Sequence, residues 1–242
     1  MARNQLPNFL LLQVRNQDDH MREQEVDCFA RALTCSRQSI ERVDLLRANP
    51  TKADLDRADI VLLGGSGDYS VTDEGPWLER ILDSLRQLAD LAKPTFASCW
   101  GFQAFARALG GKCIHDPAHA ELGNVELGLT VAGQTDPLFG QLPHSFLGHA
   151  GHEDHVVALP PGAVLLASTP EVRNQAFRLA DLPIYCTQFH PELDRAGFLQ
   201  RVEAYPRYVE QIVGIPYGEF AATCRETPEA NTLLKRFVEL IG

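Results

Sequence analysis

The sequence predicts an α/β fold: a mostly parallel central sheet with helices on both faces and an antiparallel extension. Three observations predict it. Short, wholly apolar runs recur, each bounded by Pro, Gly or charge, as strands buried on both faces require. Helical patterns with one apolar face lie between the first of these runs. From about residue 112 to 182 the helices give way to short strands and turns. At 242 residues, 45% of them hydrophobic, the chain can bury a sizeable core, and one domain spanning 1–242 accounts for it.

In order, "NFLLLQV" (8–14) reads as a first buried strand and "REQEVDCFARALT" (22–34) as the helix that follows. "DIVLLGG" (59–65) is the next strand. In "GPWLERILDSLRQLADLA" (75–92) Trp77, Leu78, Ile81, Leu82, Leu85 and Leu88 recur at helical spacing, with Pro76 in the first turn, where its missing N–H costs nothing. "PTFASC" (94–99) is a strand that runs straight into the helix "WGFQAFARAL" (100–109). "GNVELGLTVAG", "FLGHAGHEDHVVALP" and "NQAFRLADLP" look like the short strands and hairpins of an antiparallel extension. "AVLLAST" (163–169) and "PIYCTQF" (183–189) are further strands, and the tail 194–242 is helical and amphipathic.

The formal charge of −10 argues against nucleic acid and anionic membranes as partners. No apolar run approaches the ~20 residues of a membrane span, and the start "MARNQLPNFLLLQVRNQDD" lacks the long apolar region and small-residue site of a signal peptide. The expectation is a cytoplasmic protein. Six cysteines at 28, 35, 99, 113, 186 and 224 form no CxxC pair, which fits reduced thiols. Cys113 and Cys186 sit in apolar runs, as inert core cysteines do.

Cys99 differs, because it lies where a strand turns into a helix. Ala97 and Gly101, small residues two before and two after it, allow a tight elbow that lifts one side chain out in a strained conformation. The helix N-terminus favours a thiolate there, and the N–H of Trp100 is placed to meet an oxyanion. "LLGGSGDYSV" (62–71) follows another strand, and a glycine-rich loop can turn N–H groups towards an anion; Gly65 or Ser66 would supply the second donor. Parallel-sheet logic brings both loops to the carboxyl edge of the sheet. His190 in "QFHPELD" lies beyond a third strand, and Glu192, two residues on, leaves an extended chain on the same side. Cys99, His190 and Glu192 thus supply a nucleophile, a base and a group to orient the base.

"SCWGFQ", "LLGGSGDYS" and "QFHPE", in this order relative to their strands, resemble the class I (triad-type) glutamine amidotransferase family, in its stand-alone branch similar to the GMP synthase glutaminase domain. "VELG" (125–128), "HED" (152–154), "LPPGAVLLAST" and "NQAF" (174–177) extend the resemblance over most of the chain. It implies a flavodoxin-like sheet and a definite chemistry. Cys99 attacks the side-chain amide of glutamine, His190 passes the proton to the departing ammonia, and water releases glutamate from a γ-glutamyl thioester. Glu192 holds His190 in its useful tautomer, and Gly65, Ser66 and Trp100 form the oxyanion hole. Gln103, the glutamine of the family's CxGxQ pattern, contacts substrate, with Glu126, Gly128, His152 and Asp154 as secondary substrate-binding candidates. No cofactor and no metal is implied.

The sequence departs from the family pattern at Ala97, where members carry Gly, at Phe102, often His, and at Ser66, often Pro. Ala97 is small enough for the elbow, whereas Phe102 and Ser66 are expected to alter the pocket wall and the oxyanion loop. "HSFLGHAGHEDH" (144–155) gathers His149, His152, Asp154 and His155, but at a spacing that matches no zinc pattern, and reads as a polar loop beside the cleft. No GxxxxGK[ST] motif for ATP is present, so a synthetase receiving ammonia would be a separate subunit. Three alternatives stand beside the glutaminase reading: a peptidase acting on another γ-glutamyl compound, a non-catalytic binding or regulatory homologue, and a redox-sensing Cys99.

Overall fold

The computed structural model describes residues 7–206 and 208–242. Its opening half alternates strand and helix: β1 (Phe9–Gln13), α1 (Met21–Ala32), β2 (Ile40–Asp44), α2 (Lys52–Arg57), β3 (Ile60–Leu63), α3 (Pro76–Asp90), β4 (Thr95–Ser98) and α4 (Trp100–Ala108). Then come β5 (Lys112–His115), β6 (Glu121–Leu129), α5 (Val131–Thr135), β7 (Ser145–His152), β8 (Asp154–Ala158), β9 (Ala163–Ser168), β10 (Ala176–Leu179) and β11 (Ile184–Thr187). The chain closes with α6 (Arg195–Ala204), a π-helical turn at Val209–Val213, α7 (Tyr217–Thr223), α8 (Pro228–Asn231) and α9 (Leu233–Ile241).

Among the described residues the main sheet has nine strands in the order β2-β1-β3-β4-β11-β10-β9-β6-β7. The pairings from β2 to β11 are parallel, and those from β11 to β7 antiparallel. The expected extension is therefore part of the same sheet. β5 and β8 form a small antiparallel sheet of their own, so the segment 146–160 is divided between two sheets rather than closed as one hairpin. β2 carries no strand signal in the sequence: it is an edge strand with exposed Glu41 and Arg42, and only Ile40 is buried.

The continuous apolar runs are explained by two cores, one on each face. Leu10, Leu12, Val61, Leu63 and Ala97 face a core with α3 and α4. Phe9, Leu11, Ile60, Leu62 and Phe96 alternate with them and face α1 and α9. In α3 the predicted stripe is buried except at its start, where half-buried Trp77 meets Tyr69 edge-on at 5.1 Å. The amphipathic tail covers the chain's own sheet: Phe237 of α9 packs edge-on against Phe96 and Tyr185, at 5.5 and 5.7 Å. No helix among the described residues is long and apolar enough to cross a membrane.

Candidate active site

β3, β4 and β11 are adjacent and parallel, with Leu63 paired to Ala97 and Ser98 to Thr187. The residues that leave their carboxyl ends, Gly64–Gly65, Cys99 and Gln188–His190, therefore emerge side by side. Cys99 has φ 51° and ψ −107°, a conformation that side chains rarely adopt. Its N–H is tied to Thr187 O at 2.8 Å and it ends β4 as the N-cap of α4. The elbow closes because Gly101 has no Cβ; one placed there would lie 2.7 Å from Leu63 Cβ and 3.1 Å from Ala97 Cβ. The methyl of Ala97 is accommodated by that gap.

Gly65 lies against both neighbours, since a Cβ on it would be 3.0 Å from His190 Cε1 and 3.8 Å from Cys99 Sγ. His190 is buried, its ring beside Cys99 with Gly65 against both. His190 Nδ1 meets Glu192 Oε1 at 2.7 Å, and Arg201 Nη1 donates to the same oxygen at 3.3 Å. Burial works against the imidazolium, but Glu192, through charge and its hydrogen bond, and the neighbouring Cys99 outweigh it and push His190 up to about 9. Burial likewise opposes the Glu192 carboxylate, yet His190 and Arg201 hold it well below the usual range. The arrangement is a thiol beside a basic imidazole whose other nitrogen is fixed by a carboxylate.

Two chambers open from Cys99. One, of about 40 Å³, lies on the α6 side, lined by Gly65, His190, Arg15 and Arg201 with apolar Leu122, Leu193, Phe198 and Val202. The other, of about 120 Å³, lies on the α4 side and is more polar: Trp100, Gln103, Ser70, His152 and Asp154 line it. Cys99, Ser66 and Gly67 border both. Gln103 Nε2 donates to Asp154 O at 2.7 Å and to Gln188 Oε1 at 3.1 Å. The Asp154 carboxylate accepts from Ser70 and contacts His115 Nδ1 at 2.8 Å. Ser66 Oγ accepts from Tyr69 N–H at 3.0 Å, which fixes the loop after β3.

The structure thus gathers Cys99, His190, Glu192, Gly65, Ser66, Trp100, Gln103, His152 and Asp154. It does not bring Glu126 and Gly128 to them. Both are exposed on β6, where Glu126 accepts from Ser145 Oγ at 2.6 Å beside a separate cavity. The reason is a repeated tripeptide: Glu-Leu-Gly occurs at 121–123 and again at 126–128. The first copy reaches the cleft, where Leu122 lines the small chamber and Glu121 bonds His152. Burial would have separated the copies; local sequence does not. Phe102 also corrects the expectation of an altered pocket wall. It is fully buried in the core against Phe177 at 5.1 Å and borders neither chamber. Gln188, missed in the sequence although inside a quoted motif, places Nε2 3.9 Å from Cys99 Sγ.

The histidine-rich segment separates by strand. His149 is buried on β7, stacked on Phe198 at 4.5 Å, with Nε2 against Arg225 O at 2.9 Å. Burial depresses its affinity for a proton. His155 lies on β8 in the small sheet. Only His152 and Asp154 of this group line the cleft.

A family model for class-I glutamine amidotransferases matches residues 24–198. The chain belongs to that family. It is 28% identical over 198 residues to gamma-glutamyl peptidase 4 of Arabidopsis thaliana, covering 79% of this chain and 74% of that protein. It is 34% identical over 143 residues to the glutamine-hydrolyzing GMP synthase of Christiangramia forsetii, 58% of this chain but 26% of the synthase. In fold it is similar to a glutamine amidotransferase from Thermotoga maritima, with a TM-score of 0.75 over 96% of each chain at 20% identity. Glutamine amidotransferases and gamma-glutamyl peptidases are enzymes, and the mixed sheet described above is the fold shared with the Thermotoga protein.

Proposed function

We propose that this protein hydrolyses the side-chain amide of glutamine through a γ-glutamyl thioester on Cys99. The observation that carries the reading is the convergence of Cys99, the buried His190–Glu192 pair and Gly65 at the ends of three adjacent parallel strands. Sγ attacks the amide carbon, and the thiol proton passes to His190. The oxyanion is held by the N–H groups of Trp100 and the Gly65–Ser66 loop. His190 returns the proton to the amide nitrogen, the C–N bond breaks and ammonia departs. Water, deprotonated by His190, then attacks the thioester, releasing glutamate and the Cys99 thiol. Glu192 keeps His190 oriented throughout.

His190 borders the small chamber and not the polar one, so the group it protonates leaves on the α6 side. The larger polar chamber then takes the amino-acid end of the substrate, with Gln103, His152 and Asp154 as contacts. Similarity to glutamine-hydrolyzing GMP synthases supports glutamine as donor and a separate synthetase subunit as the partner that consumes the ammonia. We place this chemistry in the cytoplasm, where six unpaired cysteines stay reduced.

A second reading, hydrolysis of a γ-glutamyl peptide by the same thioester, is favoured by the coverage of the Arabidopsis gamma-glutamyl peptidase. Intact mass after incubation with 6-diazo-5-oxonorleucine, a reactive glutamine mimic, tests both. A single adduct on the wild type and none on Cys99→Ala is expected, together with ammonia release from glutamine. Turnover of γ-glutamyl peptides without turnover of glutamine would select the second reading; an adduct on Cys99→Ala would defeat both.

A further inference from the structure

The cleft holds two histidines that are each anchored by a buried carboxylate. His190 and Glu192 are one pair; His152 and Glu121 are the other, with Nε2 and Oε2 3.0 Å apart. Glu121 and His152 face one another across β6 and β7. Glu121 is 7% exposed, and its remaining capacity is filled: Oε1 accepts from Thr169 Oγ1 at 2.7 Å and Oε2 also from Gln175 Nε2. Burial opposes its ionisation, but the three donors prevail and hold the carboxyl below its ordinary range. A buried, fully bonded carboxylate of this kind fixes its partner's ring orientation.

His152 is 3% exposed and borders the polar chamber beside Cys99 and Gln103. With Nε2 committed to Glu121, only Nδ1 is left for a ligand, and Nδ1 is buried with no hydrogen-bond partner. A buried polar atom without a partner, on a residue that lines a cleft, marks where a bond is to be made. The other charges of that chamber indicate with what. Asp68, Glu153 and Asp154 are acidic, no Arg or Lys stands among its described lining residues, and His115 is engaged by Asp154. These groups are acceptors, which suit an α-ammonium, and His152 Nδ1 adds one more.

We propose that Glu121 is a positioning residue: by taking Nε2–H it fixes the tautomer of His152, so that Nδ1 accepts from the α-ammonium of the γ-glutamyl substrate. The inference rests on the reading of Cys99 given above. Glu121→Gln keeps the shape of the side chain and removes its charge. With glutamine, kcat/KM should fall about 10- to 100-fold, the loss of one hydrogen bond to a charged group, and KM should carry most of it. With glutaramate, which is glutamine without its α-ammonium, wild type and variant should agree within about 2-fold. His152→Gln, which leaves Glu121 bonded to Thr169 and Gln175, should show the same substrate-dependent loss, and serves if Glu121→Gln does not fold. Equal losses on both amides, or a loss in kcat alone, would overturn the proposal while leaving glutamine hydrolysis intact. A wild type that neither turns over glutamine nor reacts with 6-diazo-5-oxonorleucine would overturn it together with the reading beneath it.

Discussion

At Cys99 the backbone itself is strained, with φ 51° and ψ −107° on a residue that carries a Cβ. Such a conformation costs roughly 1–3 kcal/mol and persists only because surrounding structure enforces it. Here the enforcement is visible: the bond from Cys99 N–H to Thr187 O, the bond from Gly101 N–H to Gly64 O at 3.2 Å, and the Cβ-free contact of Gly101 with Leu63. The strain predicts an inverted order of stability among variants of Cys99. Glycine tolerates this conformation, so Cys99→Gly should unfold at a higher urea midpoint than Cys99→Ala, by about 1 kcal/mol. Elsewhere in a protein Gly is ordinarily the less stable of the two. If Ala proved the more stable here, the elbow would not be under strain.

The elements that present the site are held by polar contacts buried between them. Arg15, just past β1, is 2% exposed; it reaches Asp19 at 3.1 Å, Glu25 of α1 at 3.3 Å and Tyr205 Oη, beyond α6, at 2.9 Å. Glu25 in turn accepts from Gln13 Nε2 at 2.9 Å and lies on Gly64, where any Cβ would come within 2.1 Å of Oε1. The paired glycines after β3 therefore serve different neighbours: Gly64 admits the Glu25 carboxylate and Gly65 admits His190. Glu25→Ala would strand part of the Arg15 charge and open space beside Gly64. A loss of about 3 kcal/mol in unfolding free energy is expected, measured by urea denaturation with the m value unchanged. A loss under about 0.5 kcal/mol, the range of ordinary surface substitutions, would show that Asp19 and Tyr205 suffice for Arg15.

For the whole molecule, the His190–Glu192 pair links the proposed chemistry to the pH dependence of folding. His190 is raised from 6.5 to about 9, so its contribution is full below 6.5 and is lost as pH rises through 9. Glu192 is lowered from 4.5 to about 2, so its contribution is full above 4.5 and is lost as pH falls through 2. The stability margin of wild type over Glu192→Gln should therefore be widest between about pH 4.5 and 6.5 and narrow on both sides. Thermal unfolding across the pH range checks this; a margin that keeps growing above pH 9 has the wrong sign. The pair also spans the main sheet's architecture, since His190 follows β11 and its backbone N–H bonds His149 O of β7 at 2.9 Å. β7 lies at the far edge of the antiparallel half, so the site closes only when the loop beyond β11 reaches back to that edge strand.

The sequence by itself determined the α/β class, the buried strands, the amphipathic face of α3 and the positions of Cys99, His190 and Glu192. These features depend on short-range facts: apolar periodicity, glycines that permit a turn, and polar residues placed where strands end. Only the tertiary structure decided which Glu-Leu-Gly faces the cleft, that Phe102 belongs to the core, that β2 pairs at the sheet edge, and that Glu121 is joined to His152. Each of these depends on what lies across a sheet or behind a helix. Glu121 and Glu126 open the same Glu-Leu-Gly tripeptide and differ in burial and in bonding partner, His152 for one and Ser145 for the other, which is a property of the packed sheet and not of the tripeptide.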